Sequence, residues 1–181
     1  TDMVVDSSGN SYITGYTQNA FDGLTPTANN WNTYLLKYDS SGTKQFTKLI
    51  PGVNASAVVQ ADHNMAKGLT LDTSGNIYIT GGANDSNGDG TIWVDGASAP
   101  GTNYGLFVSK FNSTGTRQWT KALCYGQPGY WTMNMQGYGI AVDSSGNILI
   151  AGHNTEKGFD SFANAGRSGF LIKYDNNGIK Q

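Results

Sequence analysis

The sequence is poor in most of the residues from which reactive chemistry is built. It holds one cysteine (Cys124), two histidines (His63 and His153) and a single glutamate (Glu156). One cysteine forms no intrachain disulfide and no all-cysteine metal site. Cys124 reads as a small, partly buried residue rather than a reactive thiol. Two histidines do not by themselves make a metal centre, and no nucleophile motif stands beside His153, so no enzyme is expected. Charge is scarce too. Only 13% of residues are charged, against about 25% in an average globular protein. The 11 basic residues are scattered singly, with a net charge of −2. That leaves no footprint for nucleic acid or an anionic membrane surface. No apolar run approaches the roughly 18 residues of a membrane span. The chain opens Thr1-Asp2-Met3-Val4 with neither an initiator Met nor a signal peptide, so a processed protein or a piece of a longer one is expected.

Turn chemistry is what the sequence has in abundance. Gly, Asn, Ser and Thr together make up 42% of the chain. The stretches between them are aromatic and β-branched, which is an all-β composition. The turns repeat. Asp6-Ser7-Ser8-Gly9-Asn10 recurs as Asp72-Thr73-Ser74-Gly75-Asn76 and Asp143-Ser144-Ser145-Gly146-Asn147, each followed by an alternating apolar stretch that ends in Gly15, Gly81 or Gly152. A second block, Lys37-Tyr38-Asp39-Ser40-Ser41-Gly42, recurs as Lys110-Phe111-Asn112-Ser113-Thr114-Gly115 and Lys173-Tyr174-Asp175-Asn176-Asn177-Gly178. The first block returns after 66 and 71 residues and the second after 73 and 63, so one unit is present almost three times.

Each unit reads as four antiparallel strands, A to D. In the third, A is 139–143, B is 148–152 and C is 170–174, with tight turns between A and B and between C and D. Asp at the head of each turn can accept from the backbone two residues on, and Gly supplies the left-handed position. A four-stranded meander at this period predicts β-propeller blades. The units divide as 1–65, 66–137 and 138–181, the last with an incomplete strand D. Phe46 and Trp119 share one repeat position and are expected in the core.

Gly139-Ile140-Ala141-Val142-Asp143-Ser144-Ser145-Gly146-Asn147, followed by the Lys-Tyr-Asp-x-x-Gly block, resembles the SBBP repeat of bacterial β-propellers. The resemblance implies a propeller fold in a surface or secreted setting and carries no catalytic residues. Closed propellers typically have at least four blades. About three blades therefore imply part of a propeller or half of a ring. The expected partners are another copy of the chain or the remaining blades of a longer parent. Open blade faces should carry apolar residues drawn from Val4, Ile13, Leu35, Ile150, Leu171 and Ile172.

In such a meander the tight A–B and C–D turns share one face. The long B–C connections (17–31, 83–104, 154–168) share the other with the D–A connections (51–67, 125–137). The strands repeat and these loops do not, so specificity belongs to the loop face. The loops keep one register: Phe21-Asp22, Val94-Asp95 and Phe159-Asp160, where Asp is expected to anchor the loop by accepting backbone N–H bonds. Unit two carries an insertion, Asp85-Ser86-Asn87-Gly88-Asp89-Gly90. Asp85, Asn87 and Asp89 match the first half of an oxygen-rich calcium loop, but Gly96 stands where a bidentate Glu is wanted. A weak calcium site and a hydrophilic turn are both compatible with it. No other cofactor is expected.

Trp31, Trp93, Tyr104, Tyr125, Tyr130 and Trp131 lie in or beside the variable connections, and His153 follows the strand B glycine. Aromatic platforms among Asn, Asp and Gln suit sugars, whose C–H faces stack on rings. Packing between loops is the competing reading. The sequence thus points to a non-enzymatic scaffold or interaction module, extracellular or on a bacterial surface, that binds a surface protein through the loop face. A carbohydrate-binding propeller is the alternative.

Overall fold

The computed structural model describes residues 1–26, 30–52, 63–85, 91–100, 104–124, 135–154 and 168–181. Among them all regular structure is β. Blade 1 is β1 (Asp2–Val5), β2 (Ser11–Thr17), β3 (Asn32–Tyr38) and β4 (Lys44–Ile50), hydrogen-bonded in that order. Blade 2 is β5 (His63–Leu71), β6 (Ile77–Asn84), β9 (Tyr104–Phe111) and β10 (Arg117–Leu123), with a separate hairpin, β7 (Thr91–Val94) and β8 (Ala97–Pro100), between its second and third strands. Blade 3 holds β11 (Met135–Val142), β12 (Ile148–Asn154) and β13 (Ser168–Tyr174). A Tyr174–Lys180 bridge, with the Gln181 amide donating to the Lys173 carbonyl at 2.9 Å, begins a fourth line. These are the antiparallel blades expected from the repeat.

The turn chemistry follows the sequence pattern closely. In each A–B turn the glycine N–H donates to the Asp carbonyl, and the Asp Oδ1 accepts from the amides two and four residues on. The six turn glycines (Gly9, Gly42, Gly75, Gly115, Gly146 and Gly178) all have φ between 75° and 82°. This is the three-residue hairpin loop whose last residue must be left-handed, a region that costs glycine nothing.

The first strands differ from expectation. Strand A of blade 3 begins at Met135 rather than 139. The pairing slips between Gly137 and Gly139, as it does between Ala66 and Gly68 in blade 2. An extra residue in the strand, Lys67 or Tyr138, throws the two-residue alternation out of phase. The apolar pattern therefore breaks where the hydrogen-bonded ladder continues.

Blades stack face to face through two apolar clusters. Tyr12, Leu35 and Ile50 of blade 1 meet Leu69, Ile77, Ile79 and Phe107 of blade 2. Tyr78, Leu106 and Val108 of blade 2 meet Ile148, Ile150, Phe170 and Ile172 of blade 3. The initial strands are neighbours, with β5 packed against both β1 and β11. Phe46 and Trp119 pack against these clusters but stay half-buried. Of the residues expected on open faces, Leu35, Ile150 and Ile172 are buried inside the stack, Val4 and Ile13 are half-buried, and Leu171 is 67% exposed.

Candidate functional site

The loop end of the stack is shaped by the bulges in β5 and β11. A bulge re-aims one side chain out of the regular alternation. In blade 2 that side chain is Lys67, whose ammonium lies 4.9 Å from the centroid of the Tyr16 ring in blade 1. Tyr16 in turn meets Trp31 edge to face at 5.2 Å. In blade 3 the bulged residue is Tyr138, stacked on His153 at 5.3 Å, with its hydroxyl donating to Gln136 Oε1 at 2.9 Å. Tyr138 remains 46% exposed. In blades 2 and 3 the bulges also explain the glycine of strand B. A Cβ on Gly81 would lie 2.1 Å from the Met65 carbonyl, and one on Gly152 would lie 2.0 Å from that of Gln136.

Trp31 is held at the seam between blades 1 and 2. Its amide donates to His63 Nδ1 at 3.0 Å, and its carbonyl accepts from the Asn64 amide at 2.9 Å. The His63 amide donates to Asn84 Oδ1, and the Thr33 amide to Asn64 Oδ1. Burial lowers the His63 pKa, and the neutral ring is the form able to accept from Trp31. Asn64 is fully buried, and its Nδ2 has no hydrogen-bond partner among the described residues.

The Asp of the B–C loops anchors its loop differently from expectation. Asp22 and Asp95 have φ of 54° and 48° and precede the left-handed Gly23 and Gly96. The Asp-Gly pairs are therefore the central residues of tight hairpin turns, for which this dipeptide is favoured. Their carboxylates meet cationic side chains of the outer strand: Asp22 takes Lys44 and the Thr47 hydroxyl, and Asp95 takes Arg117 at 3.2 Å. Lys44 and Arg117 share a repeat position. The Lys44 hydrogen bond holds the Asp22 carboxyl below its ordinary value. Burial pushes Asp95 up despite Arg117. In the third unit Asp160 lies outside the described residues.

The hairpin β7–β8 extends this turn in blade 2, and it places the remaining candidates. Ile92 and Val94 are buried in the blade 1–2 cluster, so Trp93 alternates to the other side and is half-buried. Tyr104 opens β9, half-buried, its carbonyl 3.6 Å from the Cys124 sulfur. Burial first, and then Asp85, raise the Cys124 thiol to about 11, which keeps it protonated at neutral pH. Asp85 is itself 7% exposed. The other two candidate calcium ligands, Asn87 and Asp89, lie outside the described residues, as do Tyr125, Tyr130 and Trp131. No three His, Cys, Asp or Glu side chains among the described residues converge to hold a metal.

Of the sequence candidates, then, Trp31 and His153 reach the loop-end clusters, while Trp93 and Tyr104 belong to the insertion side of blade 2. Tyr16, Lys67 and Tyr138 were missed by sequence reasoning. Their one signal was a glycine on each side of the bulge in blade 3, Gly137 and Gly139, which interrupts an apolar run.

A stack of antiparallel meanders, two of four strands and one of three, joined face to face gives the protein the architecture of β-propeller blades. Residues 1–22 and 134–160 match the family model of the SBBP beta-propeller repeat. The matched segments cover strands A and B of blades 1 and 3 with their Asp-led turns. No curated protein matches the chain.

Proposed function

We propose that the protein is a non-enzymatic interaction module of a bacterial surface or secreted protein, and that it binds through the loop end of its blades. The observation that carries this reading is the pair of bulged side chains, Lys67 and Tyr138. Each is turned out of its strand toward aromatic neighbours at the end where the non-repeating loops emerge. The opposite end is made of near-identical tight turns whose carboxylates are already occupied by their own backbone. Selection of peptide ligands on the intact chain tests the proposal. Selected ligands should lose roughly tenfold or more in affinity with Tyr138→Ala, a step of about 1.4 kcal/mol, and be indifferent to Ser144→Arg at the turn end. Ligands that respond to the second substitution alone would overturn it.

A carbohydrate ligand is the second reading. It is favoured by the Trp31–Tyr16–Lys67 ladder, which sets two aromatic rings beside a cation. A glycan array separates the two readings. Saturable glycan binding that is lost in Tyr16→Ala would establish the carbohydrate reading.

A further inference from the structure

The seams between blades repeat one device. In blade 1 the Lys37 ammonium lies 5.1 Å from the Tyr12 ring centroid and donates to the Ser113 carbonyl, in the C–D turn of blade 2, at 3.2 Å. In blade 2 the Lys110 ammonium lies 5.4 Å from the Tyr78 centroid and donates to Asn176 Oδ1, in the C–D turn of blade 3. The outer-strand aromatic completes the socket. A Cβ on Gly115 would sit 3.0 Å from Phe46, and one on Gly178 would sit 3.2 Å from Trp119. The Trp119 indole N–H also donates to the Asn176 carbonyl at 3.2 Å. Below the turn, the incoming blade contributes apolar residues of its first strand: Leu69 and Leu71 in blade 2, Ile140 and Val142 in blade 3.

Each half of this device occurs once more without its counterpart. On blade 1, nothing among the described residues lies within 4 Å of a Cβ built on Gly42, the glycine of its C–D turn. Met3 and Val5, which take the repeat positions of Leu69 and Leu71, are 61% and 53% exposed. On blade 3, Leu171 takes the repeat position of Leu35 and Val108; those two are fully buried, and Leu171 is 67% exposed. Lys173, in the position of Lys37 and Lys110, reaches back to the Asp143 carboxylate of its own blade at 3.6 Å instead of capping a turn.

We infer that these two faces bind each other between copies of the chain: the Gly42 turn and the Met3/Val5 strand of one copy seat on the Leu171/Lys173 face of another. The occupant follows from continuity with the two seams inside the molecule. Both halves of the interface lie on the same chain, in the same register, with the same lysine-to-turn chemistry. Blades supplied by a longer chain would occupy the same faces. Because two different patches meet, the contact is head-to-tail, and it closes into a ring or extends as an array according to its rotation.

Sedimentation of the 181-residue chain tests this. Concentration-dependent association is expected across about 1–100 μM, the range of ordinary specific contacts. Leu171→Asp and Met3→Asp each change an exposed side chain, so both variants should keep the thermal unfolding of the parent. Each should weaken association roughly tenfold or more. An equimolar mixture of the two still holds one intact pair of faces and should form a one-to-one dimer that grows no further. A parent chain that stays monomeric throughout overturns the inference. So does association unchanged in both variants, or a mixture that remains monomeric.

Discussion

At the scale of single residues, the aspartates that head the turns are the stabilising groups with the clearest chemistry. The Asp72 carboxylate accepts from the Ser74 and Asn76 amides, from Asn76 Nδ2 and from the Tyr78 hydroxyl. At roughly 0.5–1.5 kcal/mol net per bond, the four bonds make Asp72→Ala cost about 2–6 kcal/mol in urea denaturation. Asp143 heads the same turn in blade 3, but Leu149 stands in the position of Tyr78. Asp143 takes Lys173 at 3.6 Å instead, so Asp143→Ala should cost less in the Lys173→Met background than Asp72→Ala does in the parent, and equal losses there would exclude a contribution from the tyrosine. Asp6 and Asp143 are held below their ordinary values first by the side chains of Asn10 and Asn147, and Asp39 by that of Ser41. A carboxyl lowered in the folded state contributes stability above its unfolded pKa of about 3.9. That contribution is lost as pH falls through the lower folded value. His63 acts on a different window. Its folded pKa is also lowered, by burial, so below the unfolded value of about 6.5 the unfolded chain takes up the proton first, and stability falls. The urea midpoint should decline from pH 7 to 5 in the parent and decline less in His63→Gln.

At the scale of elements, the bulge and its facing glycine form one unit. The bulged strand brings its own carbonyl so close to strand B that Gly81 admits no side chain. Gly81→Ala should destabilise by about 3 kcal/mol, as expected when backbone must move to admit an atom. Gly139, on the far side of the other bulge, is the control. Among the described residues a Cβ there would meet only the Ala151 Cβ at 3.8 Å, and Gly139→Ala should be neutral within about 0.5 kcal/mol. Equal losses at both positions, measured by thermal unfolding, would refute the close-approach argument. The hairpin β7–β8 depends on a second device, the Arg117 guanidinium bound to the Asp95 carboxylate and carbonyl. Arg117→Ala should speed amide exchange in β7 and β8 while leaving β5 and β6 unchanged, because those strands are held by the blade ladder rather than by the ion pair.

At the scale of the whole molecule, stability is divided between blades and seams. Each blade supplies its own hydrogen-bond ladder, but its apolar faces are buried only by its neighbours, as in other repeat proteins. Leu35 belongs to the blade 1–2 seam and is fully buried. Leu35→Ala should cost about 2–5 kcal/mol, and the loss should be local. Native-state hydrogen exchange should show faster opening in blade 1 with blade 3 protected as before. A uniform rise across all three blades would show instead that the stack opens as a single unit.

The sequence by itself determined the blades. An Asp-led turn closed by a left-handed glycine, flanked by alternating apolar residues, leaves the backbone few alternatives, and its recurrence set the order of the strands within each blade. That information is local, carried within a few residues of each turn. The same cannot be said of the functional end. Which face of a strand meets a neighbour depends on register across blades, so the sequence could not separate Leu171, exposed, from Leu35, buried, although both occupy the same repeat position. The Asp22 and Asp95 anchors were legible as fixed offsets, but their partners Lys44 and Arg117 lie 22 residues further on, where only the folded loop brings them together. Lys67 and Tyr138 became candidates through bulges, a departure from periodicity that a periodic reading passes over. Pairing, register and the meeting of distant side chains are properties of the folded structure, and so the tertiary fold alone decided what the loop end presents.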